Sequence, residues 1–151
     1  SECSLRHEKT FDTWNSRIRV RHFEPPLDIA SVCAICSDAP CVAVCPKEAG
    51  ALSRDQLTGA ILINNSKCIG CGACLKVCAK NRSDVIRMSR DGKKAVGICD
   101  LCDGDPACVK VCPEQCLSLV PANQNGLHFA ANPEKIALSL SHGIYRSGRA
   151  D

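Results

Sequence analysis

The 151-residue sequence has few aromatic residues and no long apolar segment. Phe, Trp and Tyr make up 3% of the chain, with one Trp and one Tyr, so an ordinary apolar core is thin and something else must hold the fold. No apolar run approaches the roughly 20 residues of a membrane helix, which predicts no membrane insertion. No signal-peptide pattern opens the chain, and we expect a cytoplasmic location.

An excess of one charge is also absent. The sequence has 19 Lys and Arg against 16 Asp and Glu, a net charge of +3. This balance and the scarcity of aromatic stacking surface predict that nucleic acid is not a partner. The sequence contains neither a G-x-G-x-x-G motif nor a P-loop. The four His lack an acidic or Cys partner at motif spacing, so we expect surface or packing roles and a non-catalytic chain. These residues are His7, His22, His128 and His142.

Cysteine, in contrast, is abundant: the chain has 14, a level typical of disulfide scaffolds and metal proteins. The segment from Cys68 to Cys78 has the spacing C-x2-C-x2-C-x3-C, the bacterial pattern of [4Fe–4S] ligation. Its first three thiolates lie on one loop, in which Gly70 and Gly72 leave the backbone free to wrap a cubane. Cys78 is expected on a short helix. Because the fourth Cys binds the other cluster in two-cluster ferredoxins, one motif predicts a second.

Two further cysteine groups flank this motif. They read Cys33-x2-Cys36-x4-Cys41-x3-Cys45-Pro46 and Cys99-x2-Cys102-x5-Cys108-x3-Cys112-Pro113. A disulfide framework is typical of secreted proteins, for which the sequence has no signal. Zinc sites usually take two separated pairs of ligands rather than four compact ones. Three compact groups that each end in C-x3-C therefore favour iron–sulfur clusters.

Hydrophobic periodicity and turn residues predict short elements around these groups. Strands are predicted at 17–23, 85–88, 94–98 and 117–121, and within 57–64 a turn at Thr58-Gly59 is followed by a further strand. A hairpin turn is predicted at 90–93, and a helix from Asn132-Pro133 to about Ser141 that stops at Gly143. The repeated order predicts an α+β, duplicated ferredoxin-like, loop-rich cluster-binding fold with short strands and short helices. Residues 1–30 form an N-terminal arm with a strand, 31–121 the cluster-binding core, and 122–151 a tail with one helix. The face of Arg17, Arg19 and Arg21 either meets an acidic partner or is solvated.

The order CxxCx4CxxxCP, CIGCGxCxxxC, CxxCx5CxxxCP resembles the ferredoxin-type electron-transfer subunits of molybdenum and tungsten enzymes. The resemblance covers about residues 1–120. Members usually carry four cysteine motifs. The end of a first motif resembles residues 3–8 of this chain together with the strand region at 16–20. There the chain is most similar to the aldehyde:ferredoxin oxidoreductase branch, and within it to the iron–sulfur subunits of tungsten-dependent class II benzoyl-coenzyme A reductases.

The resemblance implies three [4Fe–4S] clusters with exchanged fourth ligands. The first cluster would take Cys33, Cys36, Cys41 and Cys78; the second Cys68, Cys71, Cys74 and Cys45; the third Cys99, Cys102, Cys108 and Cys3. Cys112 is then left over, or it replaces Cys3 and closes the third site locally. We expect Cys3, because the family topology places it opposite the third loop. Cys116 is predicted to be a buried thiol rather than a ligand.

A cubane held by four thiolates has no open site for substrate and transfers one electron at a time. The resemblance implies a relay subunit between a large tungsten- or molybdenum-pterin catalytic subunit and a further redox protein or flavoprotein. The alternative is a free soluble polyferredoxin. The arm and the tail favour the relay subunit, because a free carrier needs few residues beyond its motifs.

Overall fold

The computed structural model describes residues 2–24, 27–120 and 132–146. Its elements are α1 (Glu2–Glu8), β1 (Arg19–Phe23), β2 (Leu27–Ser31), α2 (Pro40–Ala43), β3 (Leu52–Arg54), β4 (Ile61–Ile63), α3 (Ala73–Asn81), β5 (Arg87–Met88), β6 (Ala95–Val96), a 3₁₀ turn (Leu101–Gly104), α4 (Ala107–Lys110) and α5 (Pro133–Arg146). This is a small α+β arrangement of short strands and helices, as the sequence predicts. The duplication and the three-part division of the chain stay predictions.

The described strands pair as three antiparallel hairpins, β1 with β2, β3 with β4 and β5 with β6. The sequence predicts the strands at β1, β4, β5 and β6, and β5–β6 closes at the predicted turn through the Ser89 N–H to Lys94 carbonyl bond of 2.8 Å. It does not predict β2 or β3. In β2, Ile29 and Ser31 are buried and alternate with exposed residues, but the exposed Asp28 and Ala30 have low strand propensity and hide the pattern.

The core lies around α2, α3 and the β3–β4 and β5–β6 hairpins. Ile61, Val85 and Ile86 are almost fully buried there, and buried cysteines pack against them. These cysteines are Cys41, Cys74 and Cys78. Thiols therefore occupy part of the space that aromatic side chains fill in larger cores, as the low aromatic content predicts.

The N-terminal arm is fastened to β5 by Arg87. The guanidinium, 6% exposed, donates through Nε to the Trp14 carbonyl at 2.7 Å and through Nη1 to the Val85 carbonyl at 3.1 Å, and it also donates to the Ser16 carbonyl. In return the Trp14 indole donates to the Met88 carbonyl at 3.1 Å. Backbone carbonyls thus satisfy a buried cation that would otherwise be costly.

The arginines of the first strand region form ion pairs within the chain. Arg17 Nη1 lies 3.3 Å from Glu8 Oε1, and Arg19 Nη1 lies 3.8 Å from Asp84 Oδ1. Arg21 also pairs with Asp84. Asp84 therefore links the first hairpin to the core, and these positive charges are partnered inside the protein.

Two predicted elements are corrected. Residues 117–120 form no strand, because no described strand pairs with them, and Pro121 lies outside the described residues. The last helix begins as predicted, with Asn132 Oδ1 accepting from the Glu134 N–H at 2.9 Å, but it continues through Gly143 to Arg146. A glycine inside a helix costs only about 1 kcal/mol, so it does not have to end one.

The described part of the tail is attached to the core. Helix α5 packs on β2, with Ala137 buried, and Asn132 Nδ2 donates to the Ala79 carbonyl at 3.0 Å. Among the helices that the structure describes, none has the length and apolar character needed to cross a bilayer.

Candidate iron–sulfur centres

The first set of thiols comprises Cys33, Cys36, Cys41 and Cys78. Cys33 and Cys36 follow β2, Cys41 lies on α2, and Cys78 lies on α3, which packs against α2. Burial raises the pKa of Cys41 to about 12, and the charges of Cys33 and Cys78 add to the rise. Burial also raises the pKa of Cys36, to which the charge of Cys78 contributes. Cys41 and Cys78 belong to one buried cluster, Cys33 packs against it, and Cys36 follows three residues later on the same loop.

The second set comprises Cys45, Cys68, Cys71 and Cys74, which line one concavity together with Gly70 and Gly72. Burial raises the pKa of Cys74 to about 11, opposed by the Leu75 N–H and reinforced by the charges of Cys68 and Cys71. Cys71 is exposed. The fourth thiol comes from the preceding motif, as the resemblance implies.

Two glycines of the central loop, Gly70 and Gly72, line this concavity. Gly70 and Gly72 have φ of +69° and +70°, which is the left-handed region that side chains disfavour. Gly72 immediately precedes α3, so the backbone reverses direction there and delivers Cys74 and Cys78 from one helix. The predicted loop-to-helix transition is confirmed.

The third set comprises Cys3, Cys99, Cys102 and Cys108. Helix α1, which carries Cys3, packs against α4, which carries Cys108. Burial raises the pKa of Cys99 to about 12, and the charge of Cys3 is among the causes. Burial likewise raises the pKa of Cys108, and the charges of Cys3 and Cys102 raise it further. The fold therefore brings the arm cysteine to the third loop.

Cys112 has a different neighbour. Its Sγ lies 3.3 Å from Cys116 Sγ, and the hydrogen bond from Cys116 lowers the pKa of Cys112. Cys116 is exposed rather than buried, which corrects the prediction for that residue.

The first set lies beside both of the other sets. The Cys99 N–H of the third set donates to the Cys33 thiol of the first. Cys41 of the first set and Cys74 of the second belong to one buried cluster. The first set therefore adjoins each of the other two.

Comparison with known proteins agrees with this donor chemistry. Residues 26–79 and residues 61–119 each match the 4Fe-4S dicluster domain family. The chain is 39% identical over 148 residues to the polyferredoxin-like subunit of the aliphatic sulfonate oxidoreductase of Pyrococcus furiosus, which covers 95% of this chain and 82% of that protein. The chain belongs to this 4Fe-4S polyferredoxin family.

Other relatives of the family share part of their length with the chain. The β subunit of NADH-dependent phenylglyoxylate dehydrogenase from Aromatoleum evansii is 36% identical over 118 residues, which is 76% of this chain and 25% of that subunit. The electron transport protein HydN of Escherichia coli is 37% identical over 112 residues, 65% of this chain and 62% of HydN.

The cluster loops of this polyferredoxin-like chain have unusual backbone conformations. The φ angles of Leu101, Cys102 and Asp103 are +58°, +49° and +59°. In the first loop, Ile35 and Ala39 also have positive φ angles. Left-handed conformations at non-glycine residues cost of order 1–3 kcal/mol each and persist where the surroundings impose them. Converging thiols on such loops fit a cubane, which needs four S donors and wrapped backbone.

Thiols with raised pKa values are protonated near neutral pH. Since iron binds the thiolate, loading of these sites must release protons. The burial that raises the pKa values of Cys41 and Cys99 therefore keeps these thiols neutral until a metal displaces their protons.

His7 contacts the third set, which the sequence does not predict. Its Nε2 lies 3.3 Å from Cys102 Sγ and 3.4 Å from Asp100 Oδ1, and its side chain is 15% exposed. Burial lowers the pKa of His7, and the charge of Arg17 lowers it further. His7 and Cys102 lie 95 positions apart, so no local spacing could have revealed the contact.

Proposed function

We propose that this chain is a non-catalytic electron-transfer subunit that relays single electrons through three [4Fe–4S] clusters. The observation that supports the proposal is that the first set of thiols adjoins both of the others, through the Cys99 N–H to the Cys33 thiol and through the buried cluster of Cys41 and Cys74. In this proposal the clusters form a row with the first in the middle. A bound cluster supplies one-electron transfer at each set. The cysteines hold the clusters, and the shared neighbours Cys33–Cys99 and Cys41–Cys74 keep successive clusters close.

The ligands in this proposal follow the three sets. Cys33, Cys36, Cys41 and Cys78 hold the first cluster, Cys68, Cys71, Cys74 and Cys45 the second, and Cys99, Cys102, Cys108 and Cys3 the third. Four thiolates fill each cubane and leave no coordination position for a substrate, so the bond-making chemistry belongs to another subunit. Cys112 is left outside the ligand sets.

The second set is proposed as the end of the row at which an external redox partner docks. Cys71 is exposed there, and the neighbouring Ile69 is 67% exposed. At the other end of the row, Cys3 and Cys102 are buried, and α1 packs on α4. Electron transfer between proteins needs a short path through the surface, which the second set offers.

The partner in this proposal is a large tungsten- or molybdenum-pterin catalytic subunit, with a further redox protein or flavoprotein as external donor or acceptor. Two relatives are named as subunits of oxidoreductases, which supports a catalytic partner. The resemblance of 3–8 and 16–20 to the aldehyde:ferredoxin oxidoreductase branch supports tungsten, and within that branch a benzoyl-coenzyme A reductase.

Anaerobic purification of the full chain from its source tests the proposal. We expect about 12 iron atoms and about 12 acid-labile sulfides per chain, the content of three cubanes, and co-elution with a large pterin-containing chain. A brown monomer without partner would instead establish a free polyferredoxin. A colourless or zinc-loaded protein would refute cluster binding. If the partner is a benzoyl-coenzyme A reductase, the cluster potentials are low, and potentials near or above zero would reject that assignment.

A further inference from the structure

His7 brings a nitrogen donor to the third set of thiols from the same helix as Cys3. The two residues are four positions apart on α1 and therefore lie on one helix face. The packing of α1 on α4 delivers both side chains to the loop that carries Cys102. One docking event thus completes the four-thiol set and places the imidazole against one of its sulfurs.

The contacts of His7 Nε2 identify which atom carries the proton. The two nearest acceptors are Cys102 Sγ at 3.3 Å and Asp100 Oδ1 at 3.4 Å. Asp100 Oδ1 already accepts the Cys102 N–H at 3.0 Å, as expected of a carboxylate. A thiolate that binds iron and a carboxylate are both acceptors only, so Nε2 must be the donor. Either the neutral Nε2–H tautomer or the imidazolium meets this requirement.

We propose that His7 is a positioning residue that donates an N–H···S hydrogen bond to Cys102 and raises the reduction potential of the third cluster. This inference rests on the proposed function, because it needs a cluster at the third set. Hydrogen bonds to ligand sulfur are one of the terms that set the potential of such clusters. A reduced cluster carries more negative charge than an oxidised one, so a donor to sulfur stabilises the reduced form more.

Asp100 fixes the geometry of this contact. It accepts the Cys102 N–H at the start of the 3₁₀ turn and lies beside His7 Nε2, so the loop and the imidazole are held by one carboxylate. His22 offers a contrast on the same arm. It lies on β1 with its side chain 79% exposed, and its described partner is Asp28 at 2.6 Å, away from the thiols.

The test is an EPR-monitored redox titration of the anaerobically isolated holoprotein, with iron counted in every sample. The signal of the third cluster is the one that Cys3→Ala lacks. In His7→Leu we expect an unchanged iron content and a fall of that one potential by about 59 mV, a tenfold weaker reduction for a one-electron couple. In His7→Gln, which keeps an N–H donor, the potential of the third cluster should fall by less. The control His22→Leu should leave every potential unchanged.

The outcomes separate the inference from the proposed function. Fewer than three clusters in the wild-type protein would refute the function itself. Three clusters whose potentials are all unchanged in His7→Leu would overturn the hydrogen bond. If His7→Leu fails to assemble the third cluster, His7→Gln decides: a retained cluster supports the donor role, and a lost cluster shows that an N–H donor at this position does not suffice, which overturns the inference.

Discussion

The central region and the third set are built from similar motifs but are completed in different ways. In the central region, α2 and α3 pack together, two neighbouring motifs are proposed to exchange their fourth thiols there, and a core that contains Ile61 and Val85 packs against them. The third loop has only short elements around it, and its proposed fourth thiol, Cys3, comes from the arm on a helix that packs against α4. A cysteine motif therefore specifies three corners of a site, and the fold around it decides where the fourth comes from.

The difference extends to what stabilises each region. The central sites share the buried core, so cluster and core support each other. The third site depends on the docking of the arm, which Arg87 and Trp14 hold onto β5. We therefore expect changes in the central region to affect the whole fold and changes in the arm to affect one site.

The largest effect is expected for Cys78→Ala. Cys78 is 7% exposed, belongs to the core cluster and is proposed to bind the middle cluster. Its loss should remove about four iron atoms and much of the fold, because metal binding and folding are coupled. The measurement is iron content together with far-UV circular dichroism. Cys116→Ala, at an exposed thiol, is the control and should change neither. A well-folded Cys78→Ala protein with full iron content would remove the distinction between the regions.

The next effect is expected for Cys3→Ala, compared with Cys112→Ala. Cys3 lies with the third set, whereas Cys112 contacts Cys116. Cys3→Ala should lose about four iron atoms and keep the signals of the first and second clusters. Cys112→Ala should keep all of them. The reverse result in EPR spectra and iron counts would show that the third site closes locally through Cys112.

A smaller effect is expected for Arg87→Met. The substitution leaves the carbonyls of Trp14 and Ser16 without their charged donor, and each hydrogen bond to a charged group contributes about 1.5–3 kcal/mol. The arm should undock, so the third cluster should bleach at a lower urea concentration than the other two. Arg90→Met is the matched control, because both guanidinium groups lie 5.7 Å from the Trp14 ring but Arg90 is exposed. Simultaneous bleaching of all clusters would contradict a separately held arm.

The smallest effect compares two glycines of the central loop. Gly70 and Gly72 share a φ near +70°, so Ala costs about 1–2 kcal/mol at either position. A Cβ on Gly70 would lie 2.9 Å from the Lys93 carbonyl oxygen, whereas one on Gly72 has nothing within 4 Å. Gly70→Ala should therefore lower the thermal midpoint of the holoprotein more than Gly72→Ala. Equal shifts would mean that the loop moves away from β5–β6 without cost.

Local sequence patterns predicted the features that depend on residues close together in the chain, such as turns, helix starts and cysteine loops. The C-x2-C-x2-C-x3-C motif placed three thiols on a loop and Cys78 on a helix, and Asn132 capped the last helix as expected. The predictions failed where a partner was needed. Residues 117–120 alternate like a strand but have no described strand to pair with, and β2 pairs although Asp28 and Ala30 weaken its pattern.

The sequence by itself determined the chemistry of this protein, because each cysteine motif places three thiols at a spacing that fits three corners of a cubane. Only the tertiary structure showed which distant residues lie beside each motif: the Cys99 N–H at the Cys33 thiol, the helix of Cys3 against the helix of Cys108, and His7 against Cys102. These features join residues that are far apart along the chain. The docking of the arm through a buried Arg87 brings them together, and no local spacing encodes it.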